Sequence, residues 1–292
     1  MSGGVDSSVA AYLLKKAGFD VSGVFMRNWD TRDERGECPS EKDFWDVQSV
    51  CRQLQIPLQE VNLVREYWNQ VFSVVLNEYA EGRTPNPDLL CNQEIKFGVL
   101  LAKIFDESFG NNKEDRVWFA TGHYSRLQRV GRRVLLLRGA DPRKDQSYYL
   151  ASVGDEQLER VIFPLGNLCK ATHVRQVARD AGLTTANKDE SMGVCFVGER
   201  RRFADFLAEY IPQIEGDIVT LDGQVVDAQI RYMQQPIKCN MVRNEDSALH
   251  KYRVSFERPV YGVAPGQYLV LYDEDVCLGA ATISATEHNL GT

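Results

Sequence analysis

Ser2-Gly3-Gly4-Val5-Asp6-Ser7-Ser8 runs without a break into Val9, Ala10, Leu13, Leu14 and Ala17, apolar residues at helical spacing, and Gly18 is placed to end the helix. Paired glycines let a backbone approach a phosphate closely and take dihedrals that a side chain forbids. The serines add hydroxyl donors, and the helix behind them adds unpaired N–H groups at its positive end. The stretch therefore reads as an anion cradle for a nucleotide. It is not the Walker pattern, because no Gly-Lys-Ser/Thr follows. A plain helix cap behind a glycine turn needs one of these residues and leaves the others unexplained.

Such cradles lie between a buried strand and a helix, at the carboxyl edge of a parallel sheet. Only Met1 precedes Ser2, so the feeding strand is expected to be missing and the chain incomplete at its start. The rest of the first ~150 residues fits an α/β domain, because short apolar runs alternate with helical patterns. Strands are predicted at 21–26, 58–63 and 117–121, and helices at 41–54, 65–81 and 91–105. A hairpin is expected over 126–138 with Gly131 at its centre. Residues 152–182 read as helical with a break at Pro164-Leu165-Gly166, and 199–210 as a further helix. After Gly216 the pattern changes to a hairpin at 217–226 and short strands at 252–256, 267–272 and 276–283. The expected architecture is a doubly wound parallel sheet (1–150), a helical extension (151–212) and a small C-terminal β-domain (213–292).

Composition narrows the functional classes. The 292 residues are 43% hydrophobic and 26% charged, the balance of a globular protein. No apolar run approaches the ~18 residues of a membrane span, so no membrane partner is expected, and no signal peptide or Arg-rich presequence is visible. A net charge of −7 argues against a general nucleic-acid binder but not a specific one. Arg200-Arg201-Arg202 and Arg129/Arg132/Arg133/Arg138 are local basic patches that a solvated face also explains. Seven cysteines without any Cys-x-x-Cys pair point to reduced thiols and away from a structural zinc site.

Two of those cysteines stand in distinctive settings. Gly82-Arg83-Thr84-Pro85-Asn86-Pro87-Asp88-Leu89-Leu90-Cys91-Asn92 is a loop stiffened by two prolines, with Asp88 placed to cap a helix starting near Cys91. A cysteine at a helix N-terminus is shifted toward thiolate, and Asp88 lies near enough to exchange protons with it. An N-cap aspartate with an incidental buried cysteine explains the same residues. Cys195, between two glycines in Gly193-Val194-Cys195-Phe196-Val197-Gly198, is either exposed at a bend or a buried structural thiol.

Ser-Gly-Gly-x-Asp-Ser resembles the PP-loop of ATP pyrophosphatases. Followed by Asn-Pro-Asp-x-x-Cys and Gly-x-Cys-Phe-x-Gly in that order, it resembles the tRNA-specific 2-thiouridylases. Gly23–Trp29, Thr121-Gly122-His123-Tyr124, Lys144-Asp145-Gln146-Ser147, Phe163–Gly166, Pro265-Gly266-Gln267 and Cys277-Leu278-Gly279 agree. The wording at Phe25–Asp30 and Glu66-Tyr67-Trp68 is similar to the mitochondrial, eukaryotic branch. That similarity implies a mitochondrial matrix location, or a cytoplasmic one if the protein is of bacterial type.

The resemblance implies ATP-dependent exchange of the wobble uridine 2-oxygen for sulfur. ATP phosphates would lie on Ser2, Gly3, Gly4, Val5, Asp6, Ser7 and Ser8, with Asp6 near Mg²⁺, and the adenosine on Met26 and Gly122. Asn86, Pro87 and Asp88 would meet the target base, Asp88 as acid/base. Cys195 would take sulfur as a persulfide from a donor protein, and Cys91 would resolve it, leaving a Cys91–Cys195 disulfide. His123, Lys144, Asp145, Gln146, Arg231, Tyr232 and Gln267 would touch tRNA. The chain departs from the family between Val226 and Arg231, where most of a long middle segment is missing. Two other readings therefore remain: a shortened ATP- or tRNA-binding form without turnover, and another PP-loop adenylating synthetase. The sequence leaves the oligomeric state open.

Overall fold

The computed structural model describes residues 1–29, 39–106, 117–189, 203–211, 237–243, 252–258 and 260–286. The predicted hairpin at 217–226 and the segments holding Cys195, Arg231 and Tyr232 lie outside them.

The cradle feeds helix α1 (Val5–Lys16), which is followed by β1 (Gly23–Arg27), α2 (Pro39–Leu54) and β2 (Leu58–Asn62). β1 and β2 pair in parallel, Gly23 opposite Leu58 and Arg27 opposite Asn62, with α2 as the crossover. Side chains alternate along β1 as strand geometry requires. Phe25 packs with α1 and α2 among Val9, Ala10, Val47, Val50 and Leu54. Val24 and Met26 point the other way, onto Tyr67, Val71, Phe72 and Ile95. Helical layers thus cover both faces of the pair, as the doubly wound reading requires. Each fully buried valine contributes about 1.5–3 kcal/mol of transfer free energy.

The second layer comes from two helical runs, 64–80 and 87–106. Both widen to π-type turns, over Trp68–Phe72 and Cys91–Leu100. Near the site, β3 (Phe119–Ala120) pairs in parallel with β6 (Val161–Ile162). The sequence reading placed β6 inside a helical stretch. Two residues ahead of Phe163-Pro164 show no period, and their strand state comes from the distant partner at Phe119. The rest of that stretch holds a four-residue helix, Asp155–Leu158, and a helical run over 170–180, against α1. The helix expected over 199–210 is described at Phe203–Ala208.

The hairpin is β4 (Ser125–Val130) and β5 (Arg133–Arg138), joined through Gly131 and Arg132. A pair that the sequence reading half missed is β7 (Cys239–Arg243) with β8 (Tyr252–Phe256). The last two strands, β9 (Tyr268–Asp273) and β10 (Val276–Thr282), add to the early hairpin in one antiparallel sheet of order β4-β5-β10-β9. The C-terminal strands are therefore built onto the first domain. Among the described residues no helix is long and apolar enough to cross a membrane.

Candidate active site

Gly4 is the N-cap of α1 and offers no side chain, so the N–H groups of the first turn have no earlier carbonyl or cap oxygen within the helix. Gly3 has φ +75°, and a Cβ there would stand 2.7 Å from the Asp43 carbonyl of α2. Gly122, just after β3, lies against the loop: a Cβ would meet the Asp6 carbonyl carbon and the Ser7 nitrogen at 3.0 Å. Three backbones thus converge where any side chain would intrude. Ser7 and Ser8 donate their hydroxyls to the Gly4 carbonyl at 3.2 and 2.9 Å, which holds the turn. This arrangement fits a polyphosphate on the first turn of α1. Met26, the second-to-last residue of β1, is partly buried on the face away from α1.

Asp6 has two partners that the sequence reading missed. Tyr124 donates its hydroxyl to Asp6 Oδ1 at 2.6 Å, and the Lys170 ammonium lies 2.9 Å from Oδ2. Lys170 is 8% exposed, and its backbone N–H is held by Asp141 at 3.0 Å. One donor sits on each carboxylate oxygen, which orients Asp6 and leaves a second lone pair on each oxygen for a further partner such as Mg²⁺. The positive charge at the cradle is the lysine's. Among the described residues no cluster of three or more His, Cys, Asp or Glu could hold a metal.

The second half of the site starts at Asn86. Its side-chain oxygen accepts from the N–H groups of Asp88 and Leu89 at 3.2 and 3.3 Å, and Pro87 occupies the first helical position. The expected cap, Asp88, is therefore corrected to Asn86. Cys91 is corrected with it: its N–H already bonds back to Pro87 and Asp88. The thiol is buried in the core cluster of Tyr67, Phe72 and Ile95 rather than held at an open helix end. The sulfur is not in a disulfide, nor is any other cysteine among the described residues.

Asp88 keeps contact with solvent, yet the protein around it pushes its carboxyl above the usual value, and Lys96 opposes that shift. Lys96 donates to Asn92 Oδ1 at 3.1 Å, and Asn92 donates to the Tyr149 carbonyl at 2.9 Å. The same ammonium adds to burial in holding His123 well below its ordinary pKa, so the imidazole is neutral at pH 7. His123 Nδ1 lies 2.8 Å from Thr121 Oγ1, with Phe97 and Phe163 beside the ring. Lys96 was legible only as the cation two turns beyond Asp88. Lys170 carried no local signal at all.

The Lys144-Asp145-Gln146 turn is held by its own side chains. Asp145 accepts from the N–H groups of Gly139 and Ser147 at 2.8 and 3.1 Å and from the Ser147 hydroxyl at 2.8 Å. Gln146 accepts from the Tyr124 N–H at 3.0 Å, which ties the turn to the Asp6 partner. Gln267 donates to the Thr84 carbonyl at 2.8 Å. The chain leading toward Cys195 is anchored beside the cradle, where Lys188 pairs with Asp43 at 2.8 Å and with Asp46.

Known proteins resemble this chain over nearly its whole length. Residues 1–199 match the tRNA methyl transferase HUP domain, and residues 220–283 the aminomethyltransferase beta-barrel domain. The chain is 38% identical to the tRNA-specific 2-thiouridylase MnmA of Listeria monocytogenes serotype 4b, over 99% of this chain and 94% of the relative. It is equally similar to the protein of that name from Staphylococcus aureus strain JH9, over 100% and 95%. The Listeria alignment extends over 362 residues, while this chain has 292. At least 70 aligned positions thus have no counterpart here, in line with the short stretch between Val226 and Arg231.

Proposed function

The chain belongs to the tRNA-specific 2-thiouridylase family, and we propose that it replaces the 2-oxygen of a wobble uridine in tRNA with sulfur at the expense of ATP. The observation that carries this reading is the convergence of Gly3, Gly4 and Gly122 on the first turn of α1. There the backbone offers N–H donors with no side chain in the way. Ser2 to Ser8 hold the ATP phosphates, and Met26 and Gly122 border the adenosine. Lys170 and Tyr124 fix Asp6 and with it the first turn. Mg²⁺ accompanies ATP as the counter-ion of its phosphates.

Asn86 and Pro87 set the backbone that presents Asp88 to the base. A carboxyl whose pKa its surroundings raise is a better proton acceptor than a free one. The uridine 2-oxygen attacks the α-phosphorus, pyrophosphate leaves, and the base carries an adenylate. Cys195, loaded as a persulfide by a donor protein, attacks C2 with its outer sulfur, and AMP departs. Cys91 then attacks the inner sulfur of Cys195, which leaves sulfur on the base and joins the two cysteines as a disulfide. Neutral His123, Lys144, Asp145, Gln146, Arg231 and Tyr232 border the tRNA. Removing the base from a single-stranded loop costs only a few kcal/mol.

The relatives named above are bacterial, so they lend the mitochondrial location no support and fit the cytoplasmic one. The test is thiolation of an unmodified tRNA transcript with ATP, Mg²⁺ and a persulfide as the sulfur donor, read as retardation on a mercury-containing gel. An ATP-dependent shift is expected. ATP binding without a shift would mean that the shortened chain binds but does not turn over.

A further inference from the structure

The resemblance gives Gln267 a tRNA contact, but its side-chain amide is already committed within the protein. It donates to the Thr84 carbonyl at 2.8 Å, and the Thr84 N–H donates to the Pro265 carbonyl at 2.8 Å. Between them Gly266 has φ +90°, and a Cβ there would stand 2.9 Å from both the Arg83 Cβ and the Thr84 nitrogen. Gly266 and Gln267 are themselves bonded to Ile283, N–H to carbonyl at 2.8 Å in both directions. The turn is thus welded to the end of β10. On the other side of the loop Arg83 pairs with Glu78 and Glu81 at 3.1 Å.

Thr84 is followed by Pro85-Asn86-Pro87-Asp88. Prolines fix φ at 85 and 87, and Asn86 is held by its two cap bonds. Few free dihedrals remain between the clamped Thr84 and Asp88, so a constraint at Thr84 passes to the carboxyl. The geometry points to Gln267 and the Gly266 turn as a positioning clamp: the C-terminal β-sheet sets where Asp88 stands and, through the helix that begins at Pro87, how Cys91 sits in its core cluster. Gln267 acts through Thr84 and is a positioning residue. The inference rests on the role proposed for Asp88, and one arm of its test does not.

Gln267→Ala and the isosteric Gln267→Glu, which lacks the donor, are compared with the full wild-type chain. For both, thiolation kcat is expected to fall about five- to tenfold, the scale of one lost hydrogen bond, with KM for tRNA within about twofold. Independently of turnover, iodoacetamide labelling of Cys91 should accelerate about fivefold while Cys51, buried in the other core cluster, stays slow. A raised KM for tRNA with kcat unchanged would overturn the clamp. So would an unchanged Cys91 labelling rate, or Cys51 opening in step with Cys91. If Asp88→Asn keeps full activity, the functional reading fails, and the labelling rates still decide the clamp.

Discussion

The phosphate end of the site and the base end are held in different ways. The cradle is made by consecutive residues: Ser2 to Ser8 turn on their own glycines and bond their own serines, with Gly122 fitted against them. The Asp88 loop is made by residues far apart. Its helix is capped by Asn86, but its base is fastened by Pro265 and Gln267, more than 180 positions on. The cradle is braced by Gly122, Tyr124 and Lys170 and takes nothing from the C-terminal strands in these contacts, whereas the Asp88 loop depends on whatever those strands retain. This is why a chain with at least 70 aligned positions of its Listeria relative missing keeps this fastening only by keeping residues 264–283.

The largest effect expected at either end is that of Cys195→Ser. Thiolation should vanish while ATP binding, measured by calorimetry, stays intact; retained thiolation would end the persulfide assignment. Next is Asp88→Asn, expected to lower single-turnover thiolation about 10²- to 10⁴-fold with ATP affinity unchanged, a loss confined to the base end. Gly122→Val strikes the phosphate end instead. Its side chain would press on Asp6 and Ser7, so ATP affinity should fall at least about tenfold with little change in tRNA affinity. If Gly122→Val and Asp88→Asn both impaired ATP binding, the separation of the two ends would be wrong.

Two smaller effects concern stability. His123 is held neutral, with its pKa well below 6.5, so the unfolded chain binds a proton that the folded one refuses. Stability should therefore drop as pH falls below about 6.5, and His123→Gln should flatten that slope in urea unfolding at pH 5 to 7. Asn86→Ala removes the cap and should cost about 1 kcal/mol by the same method. A loss well below that would mean that the fastening at Thr84, rather than the cap, holds the helix start.

Much of the fold was legible because its signals are local. Period-3.6 apolar spacing gave α1 and α2, and the apolar runs gave β1 and β2. Gly131 between two strand-like runs gave the β4–β5 hairpin. β6 was misread because Val161-Ile162 is a strand only through Phe119-Ala120, and two residues have no period to read. The cap was misassigned between two neighbouring polar residues, Asn86 and Asp88. Either can accept a helix N–H, and only the path of the chain decides which does.

The sequence by itself determined the chemistry on offer: a glycine-serine cradle, a proline-stiffened carboxylate and a cysteine three positions beyond that carboxylate. Those follow from backbone freedom, fixed φ and side-chain type, which belong to each residue wherever it stands. Only the tertiary structure decided that Lys170 and Tyr124 share Asp6, that Lys96 acts on both Asp88 and His123, and that Gln267 fastens Thr84. Each of these joins elements remote in sequence or sets a charge by burial. Coulomb interactions and desolvation depend on distance through space and on the exclusion of water, and neither is written in the order of residues.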